Sequence, residues 1–241
     1  MKNIWIIAKR EFQTFLDSLV AYILLCVFLG LSGFSTWLFG TDVFFIKQAT
    51  MQPFFQIAYW TLFFFIPALT MRMIAEERKS GTLEVLLTRA ISDWQVVFGK
   101  FLSCLLLIGV ALLFTLPYYF TIAWLGPIDH GAVWCGYLGL ILLSSTYISI
   151  GIFASSITSN QIVAFLLSLV IGIFFHWIFD LVGSVAGGGL AELFDFLSTS
   201  THYTSISRGV IDSRDVIYFL SISALGLILA EAQLARRNVI D

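Results

Sequence analysis

The sequence predicts an all-α polytopic membrane protein, and three observations carry that expectation. The 241-residue chain is 59% hydrophobic and 12% charged, with mean hydropathy +0.94, well outside the range of soluble domains. Six apolar runs, at residues 19–39, 54–74, 101–125, 133–153, 162–182 and 216–234, each reach the roughly 20 residues that cross a hydrocarbon core at about 1.5 Å per residue. Lys and Arg gather in the short polar segments between those runs. The chain therefore reads as a single membrane domain, 1–241. It has an interfacial helix at 1–18, six transmembrane helices, a charged loop at 72–100 and a loop with short helices on the opposite face at 183–214.

Each element has its own signal. Ile4, Trp5, Ala8, Phe12, Phe15, Leu16 and Leu19 share one arc at helical spacing, opposite Lys2, Lys9, Arg10, Gln13 and Asp17. This is an amphipathic helix suited to a membrane interface, although Ile6 and Ile7 break its pattern. The first apolar run starts too deep and extends too far for a cleavable signal peptide. Pro67 in the second run and Pro117 in the third each lack a backbone donor, so both should kink their helices and are candidate hinges. The fourth run is the weakest, diluted by Ser144, Ser145, Thr146 and Ser149. Ser145, Ser149 and Ser156 fit a small-residue packing face or a polar path.

His176 and Asp180 stand one helical turn apart in the fifth run. They read as a polar pair at the headgroup boundary beside Trp177, or as a proton relay or metal site. Glu231 has Arg236 and Arg237 close by in sequence, which suggests an interfacial ion pair. After Gly187, Gly188 and Gly189, the residues Leu190, Leu193, Phe194 and Leu197 recur at helical spacing. Cys26, Cys104 and Cys135 are unclustered and suit neither a disulfide framework nor a zinc site.

Charge sets the expected orientation. Lys2, Lys9, Arg10, Arg72, Arg78, Lys79, Arg89, Lys100, Arg236 and Arg237 fall on one side, and Lys47, Arg208 and Arg214 on the other. The positive-inside rule places both termini and the 72–100 loop in the cytoplasm. Within that loop Ser80 and Gly81 break the helix. Thr82 is a good N-cap, and Leu83, Leu86 and Leu87 then form an apolar stripe flanked by Glu84. Ser92 and Gln95 form a capping box that starts the helix leading into the third span, with Trp94 as a headgroup anchor. A peg of two turns is unstable alone and must dock on headgroups or in a protein groove.

Glu77 and Arg78, then Gly81, Thr82, Leu83 and Glu84, then Leu86 and Leu87, and finally Gly99 and Lys100 resemble the signature of ABC-2-type transporter permeases. The likeness extends over the N-terminal helix, the six spans and residues 151–161 (GIFASSITSNQ). Residues 207–212 (SRGVID), leading into 218–221 (YFLS), are similar to gliding-motility-associated permeases. Where the family often has proline, this chain has Ala90. The resemblance implies that the peg is a coupling helix contacting an ATPase. In that reading Glu77, Arg78 and Glu84 orient or pair with the ATPase groove, Leu83, Leu86 and Leu87 fill it, and Gly81 and Thr82 set the turn that presents it.

The resemblance further implies two cytoplasmic ATPase subunits that carry ATP and Mg2+, and a second permease subunit, identical or homologous. It also implies a bacterial inner membrane, with export as the usual direction. The chain has no Gly-x-x-x-x-Gly-Lys-Ser/Thr phosphate loop, so it is expected to bind no cofactor or metal and to leave ATP hydrolysis to a separate subunit. Membrane lipids are expected neighbours, the 183–214 loop offers a place for a periplasmic partner, and no nucleic-acid signal is present. The other function class is an ATP-driven membrane scaffold or motor anchor that passes movement to partner proteins without moving a solute.

Overall fold

A computed structural model of the chain describes residues 2–38, 43, 48–82, 92–185 and 187–236. Among these residues there is no strand, and six helical segments are long and apolar enough to cross a membrane. Helix α1 (Lys2–Asp17) ends at Ser18, whose hydroxyl accepts the Val20 amide and starts the first span, α2 (Leu19–Trp37). The second span is α3 (Gln52–Thr70), followed by a turn at 71–74 and the short α4 (Ala75–Ser80). The third is split into α5 (Asp93–Leu113) and α6 (Leu116–Leu125). The fourth is the unbroken α7 (His130–Ile157). The fifth runs through α8 (Gln161–Ile173), a π-helical turn (Phe174–Ile178) and α9 (Phe179–Val185). On the face opposite the termini lie α10 (Gly189–Leu197) and α11 (Thr199–Ser207), before the last span, α12 (Ser213–Ala235).

The spans start earlier than hydropathy alone places them, because side-chain caps fix their first turns. Asp129, Asn160 and Asp212 accept the amides of Ala132, Ile162 and Arg214 and open α7, α8 and α12. The two prolines act differently. Pro117 falls in the first turn of α6, where its missing donor costs little, and the third span breaks just before it at Phe114 and Thr115. Pro67 stays inside α3, which continues to Thr70 before unwinding.

The fourth span, weakest by sequence, is the centre of the bundle. In α7 83% of the most apolar stretch is buried, against 22% in α2, and α7 packs on α12, α8, α3, α11 and α5. Its small hydroxylated residues serve this packing. Ser145 Oγ lies 2.9 Å from Ser223 Oγ, and Thr146 Oγ1 donates to the Phe219 carbonyl at 3.2 Å. Gly151 faces Thr70 of α3 so closely that a Cβ there would collide with its hydroxyl, and Gly226 of α12 rests on Ser149 in the same way. Where lipid tails are as apolar as leucine, close backbone approach and interhelical hydrogen bonds hold helices together.

Three expectations change. The buried side of α1 holds Ile7 and Ala8, whereas Trp5 and Ile6 are exposed; Ile7, which broke the interfacial arc, is a packing residue against α5. His176 and Asp180 do not pair. His176 lies in the π turn, closed by the Phe179 amide on the Phe174 carbonyl, and faces inward, where Nδ1 meets the Tyr147 hydroxyl at 2.5 Å and the ring stacks on Tyr59, while Asp180 is exposed. Among the described residues no metal-holding cluster forms there. Glu231 forms no ion pair with Arg236, and Arg237 lies outside the described residues.

Helix α11 wedges into the bundle through buried His202, Tyr203 and Ile206. Burial pushes the Tyr203 phenol well above its ordinary pKa, so it stays a donor to the Phe55 carbonyl. A Gly151→Ala substitution should lower stability by about 1–3 kcal/mol through overpacking against Thr70, read as a reduced midpoint of thermal unfolding in detergent. Gly109→Ala, where nothing lies within 4 Å, should be neutral or slightly stabilising.

Candidate functional site

The foot of the charged loop is built from helix ends that complete one another. The amides of Ile74 and Ala75, which open α4 and have no intrahelical acceptor, both donate to Ser155 Oγ of α7, at 3.1 and 3.0 Å. The same hydroxyl donates to the Met71 carbonyl at 3.1 Å. In return the Arg78 guanidinium of α4 donates to the carbonyls of Ser156 and Ile157, at 2.9 and 3.2 Å, closing the end of α7. The turn after the second span and the end of the fourth are thereby bolted together.

A buried ionic cluster ties in two more elements. Lys100, in the third turn of α5, is only 1% exposed. Its ammonium donates to Glu77 Oε1 of α4 at 2.7 Å and lies 3.5 Å from Glu11 Oε1 of α1. Arg10 pairs with Glu11 at 2.6 Å and stands 3.9 Å from Glu77. Two carboxylates and two cations make the cluster neutral. Its one unsatisfied atom is Glu77 Oε2, buried without a hydrogen-bond partner among the described residues.

Glu11 reaches this position because α1 lies directly against α5. A Cβ on Gly99 would come within 2.7 Å of Ile7, so glycine is what admits the helix. Asn3 adds a side-chain hydrogen bond to Gln95 at 3.3 Å. Gln95 thus turns to α1 while Ser92 accepts its amide, so only half of the expected capping box forms.

From this node the loop departs. Gly81 ends α4 in the left-handed conformation (φ 70°) that suits glycine. Thr82 turns its hydroxyl back to Ser80, at 2.8 Å, and to the Glu77 carbonyl. Leu83, Glu84, Leu86 and Leu87 lie outside the described residues, which begin again at Ser92. A cavity of about 540 Å³ opens beside the loop's root between α1 and α4, edged by Arg10, Asp17, Arg72, Glu76 and Thr82.

Of the residues expected to meet a partner, Glu77 and Arg78 are engaged inside the chain, and Gly81 and Thr82 shape the exit from α4. Glu11 and Ser155 escaped the sequence reading as members of this site, and Lys100 entered it only as part of the family signature. A signal did exist for the first: Glu11 interrupts an apolar stripe at the helical spacing set by Ile4, Ile7 and Ala8.

A family model described as ABC-2 family transporter protein matches residues 5–230. The chain belongs to the ABC-2 transporter family. It is accordingly the membrane-spanning permease subunit of an ABC transporter, distinct from the ATPase subunit with which it works. No curated protein matches the permease at a significant level. The family match takes in Glu11, Glu77, Lys100 and Ser155 together, so the whole node lies within the shared domain.

Replacing Lys100 by Met leaves two partly buried carboxylates sharing the single cation Arg10 at the edge of the cavity. That should cost about 1–3 kcal/mol, seen as a lowered unfolding midpoint in detergent. The joint variant Lys100→Met, Glu77→Gln should recover much of the loss, since Glu11 keeps Arg10. An equal or greater loss in the double variant would show that the cluster is not the stabilising unit.

Proposed function

We propose that the permease is the membrane half of an ATP-driven exporter of the bacterial inner membrane, with both termini cytoplasmic. It works as a pair with a second permease subunit above two cytoplasmic ATPases that bind ATP and Mg2+. The single observation that supports this reading best is the buried node of Glu11, Glu77 and Lys100 at the root of the charged loop. A loop that merely joins two spans needs no such foundation; one that receives force does. In this reading Leu83, Leu86 and Leu87 fill a groove on the ATPase and Glu84 faces its rim. Glu77 and Arg78 hold the coupling helix to α5, α7 and α1, so that ATPase closure moves several helices as a unit, while Pro67 and Pro117 are the hinges at which those spans bend. The association with gliding motility is supported by the resemblance at residues 207–221.

Affinity purification of the tagged permease in mild detergent, with subunits identified by mass spectrometry, tests the assembly. A Walker-motif ATPase should co-purify, and the joint variant Leu86→Asp, Leu87→Asp should lose it, or lose coupled ATP hydrolysis, while still inserting in the membrane. Full ATPase recovery and full coupled activity in that variant would remove the coupling assignment.

A further inference from the structure

We propose that the groove between the fifth and sixth spans binds one anionic phospholipid of the leaflet opposite the termini. The groove holds about 650 Å³. Ser213, Ile217, Ser221 and Leu225 follow one another every fourth residue along its α12 wall, and Phe175 and Phe196 line it as well. From Ser213 to Leu225 the stripe is about 18 Å long at 1.5 Å per residue, close to the roughly 15 Å depth of one leaflet. Ile217 and Leu225 are exposed along it. The groove is thus a slot of acyl-chain depth, open to the side.

Its charge selects the headgroup. Arg214 stands where α12 begins, its guanidinium carbon 4.9 Å from the centre of the Phe196 ring. Contact with a ring face leaves guanidinium donors unused, and among the described residues no carboxylate pairs with this side chain. The two nearest in sequence each hold one oxygen on another partner. Asp212 accepts the backbone amide of Arg214 at 3.0 Å, and Asp215 lies 2.6 Å from His202. A planar cation with free donors at headgroup level suits a phosphate group.

The wall behind it is already formed. Tyr218 stacks on His202 at 4.0 Å between centroids and donates to the Leu197 carbonyl at 2.5 Å. That fixes α10 to α12, so a lipid entering from the bilayer would meet a shaped site with little to reorganise. The site is independent of the ATPase reading, since none of its lining residues belongs to the charged loop.

The test is native mass spectrometry of the full chain equilibrated with equal amounts of dioleoylphosphatidylglycerol and dioleoylphosphatidylcholine. One phosphatidylglycerol should be retained in preference. Arg214→Gln should reduce its retention about tenfold, the scale of one lost charge-assisted contact, whereas Arg214→Lys keeps most of it. Ile217→Trp should fill the slot and reduce binding of both lipids, while Arg208→Gln, a cation outside the groove, leaves the preference intact. Equal retention of the two lipids, or wild-type retention in Arg214→Gln, overturns the proposal. A chain–chain dimer that dissociates in Ile217→Trp, with lipid retention unchanged, would assign the groove to a second copy and overturn it as well.

Discussion

A lysine that is almost entirely out of water must find negative charge, and in this permease that requirement organises the face carrying the termini. Leaving Lys100 unpaired in a low-dielectric site would cost several kcal/mol, so α4 must present Glu77 and α1 must present Glu11 at one point on α5. Three segments far apart in sequence are thereby held in register by one ammonium group. The buried second oxygen of Glu77, without a hydrogen-bond partner among the described residues, is a cost that the node carries. Such a node specifies position more than it adds stability, which suits the coupling role proposed for the loop that leaves it.

The second organising feature is α7. Its serines, threonine and glycines allow α3 and α12 to approach closely, and its last turn is joined to α4 through Ser155 and Arg78. Toward its other end it carries α11, whose Tyr203 and Ile206 lie over Gly139. One helix thus runs from the ionic node to the wedge on the opposite face. Packing of this kind has few continuous deformations, so displacement of the node would be expected to move α7 as a body.

Much of the fold was legible because it follows from solvent. Apolar runs long enough for a bilayer located every described span, although the caps at Asp129, Asn160 and Asp212 set where three of them start. The errors came where a residue had two physically sensible roles. Ile7 reads as a flaw in a lipid-facing arc but is the knob that Gly99 admits. The hydroxyls of the fourth span lower its hydropathy, yet inside a helix interface they bond to backbone and to one another. His176 and Asp180 stand one turn apart, yet the His176 ring packs inward on Tyr59 and Tyr147 while Asp180 is exposed.

The sequence by itself determined the class of protein, the number of long apolar helices and the family. Those depend on hydrophobic length, local capping and short motifs, all of which act within a few residues. Only the tertiary structure decided that Glu77 and Arg78 look inward, that Glu11 and Lys100 complete their site, and that the weakest span is the central one. Each of these depends on which groups meet across 20 to 90 positions of chain. Pairing of that kind is set by burial and charge neutralisation in three dimensions, and the order of residues does not express it.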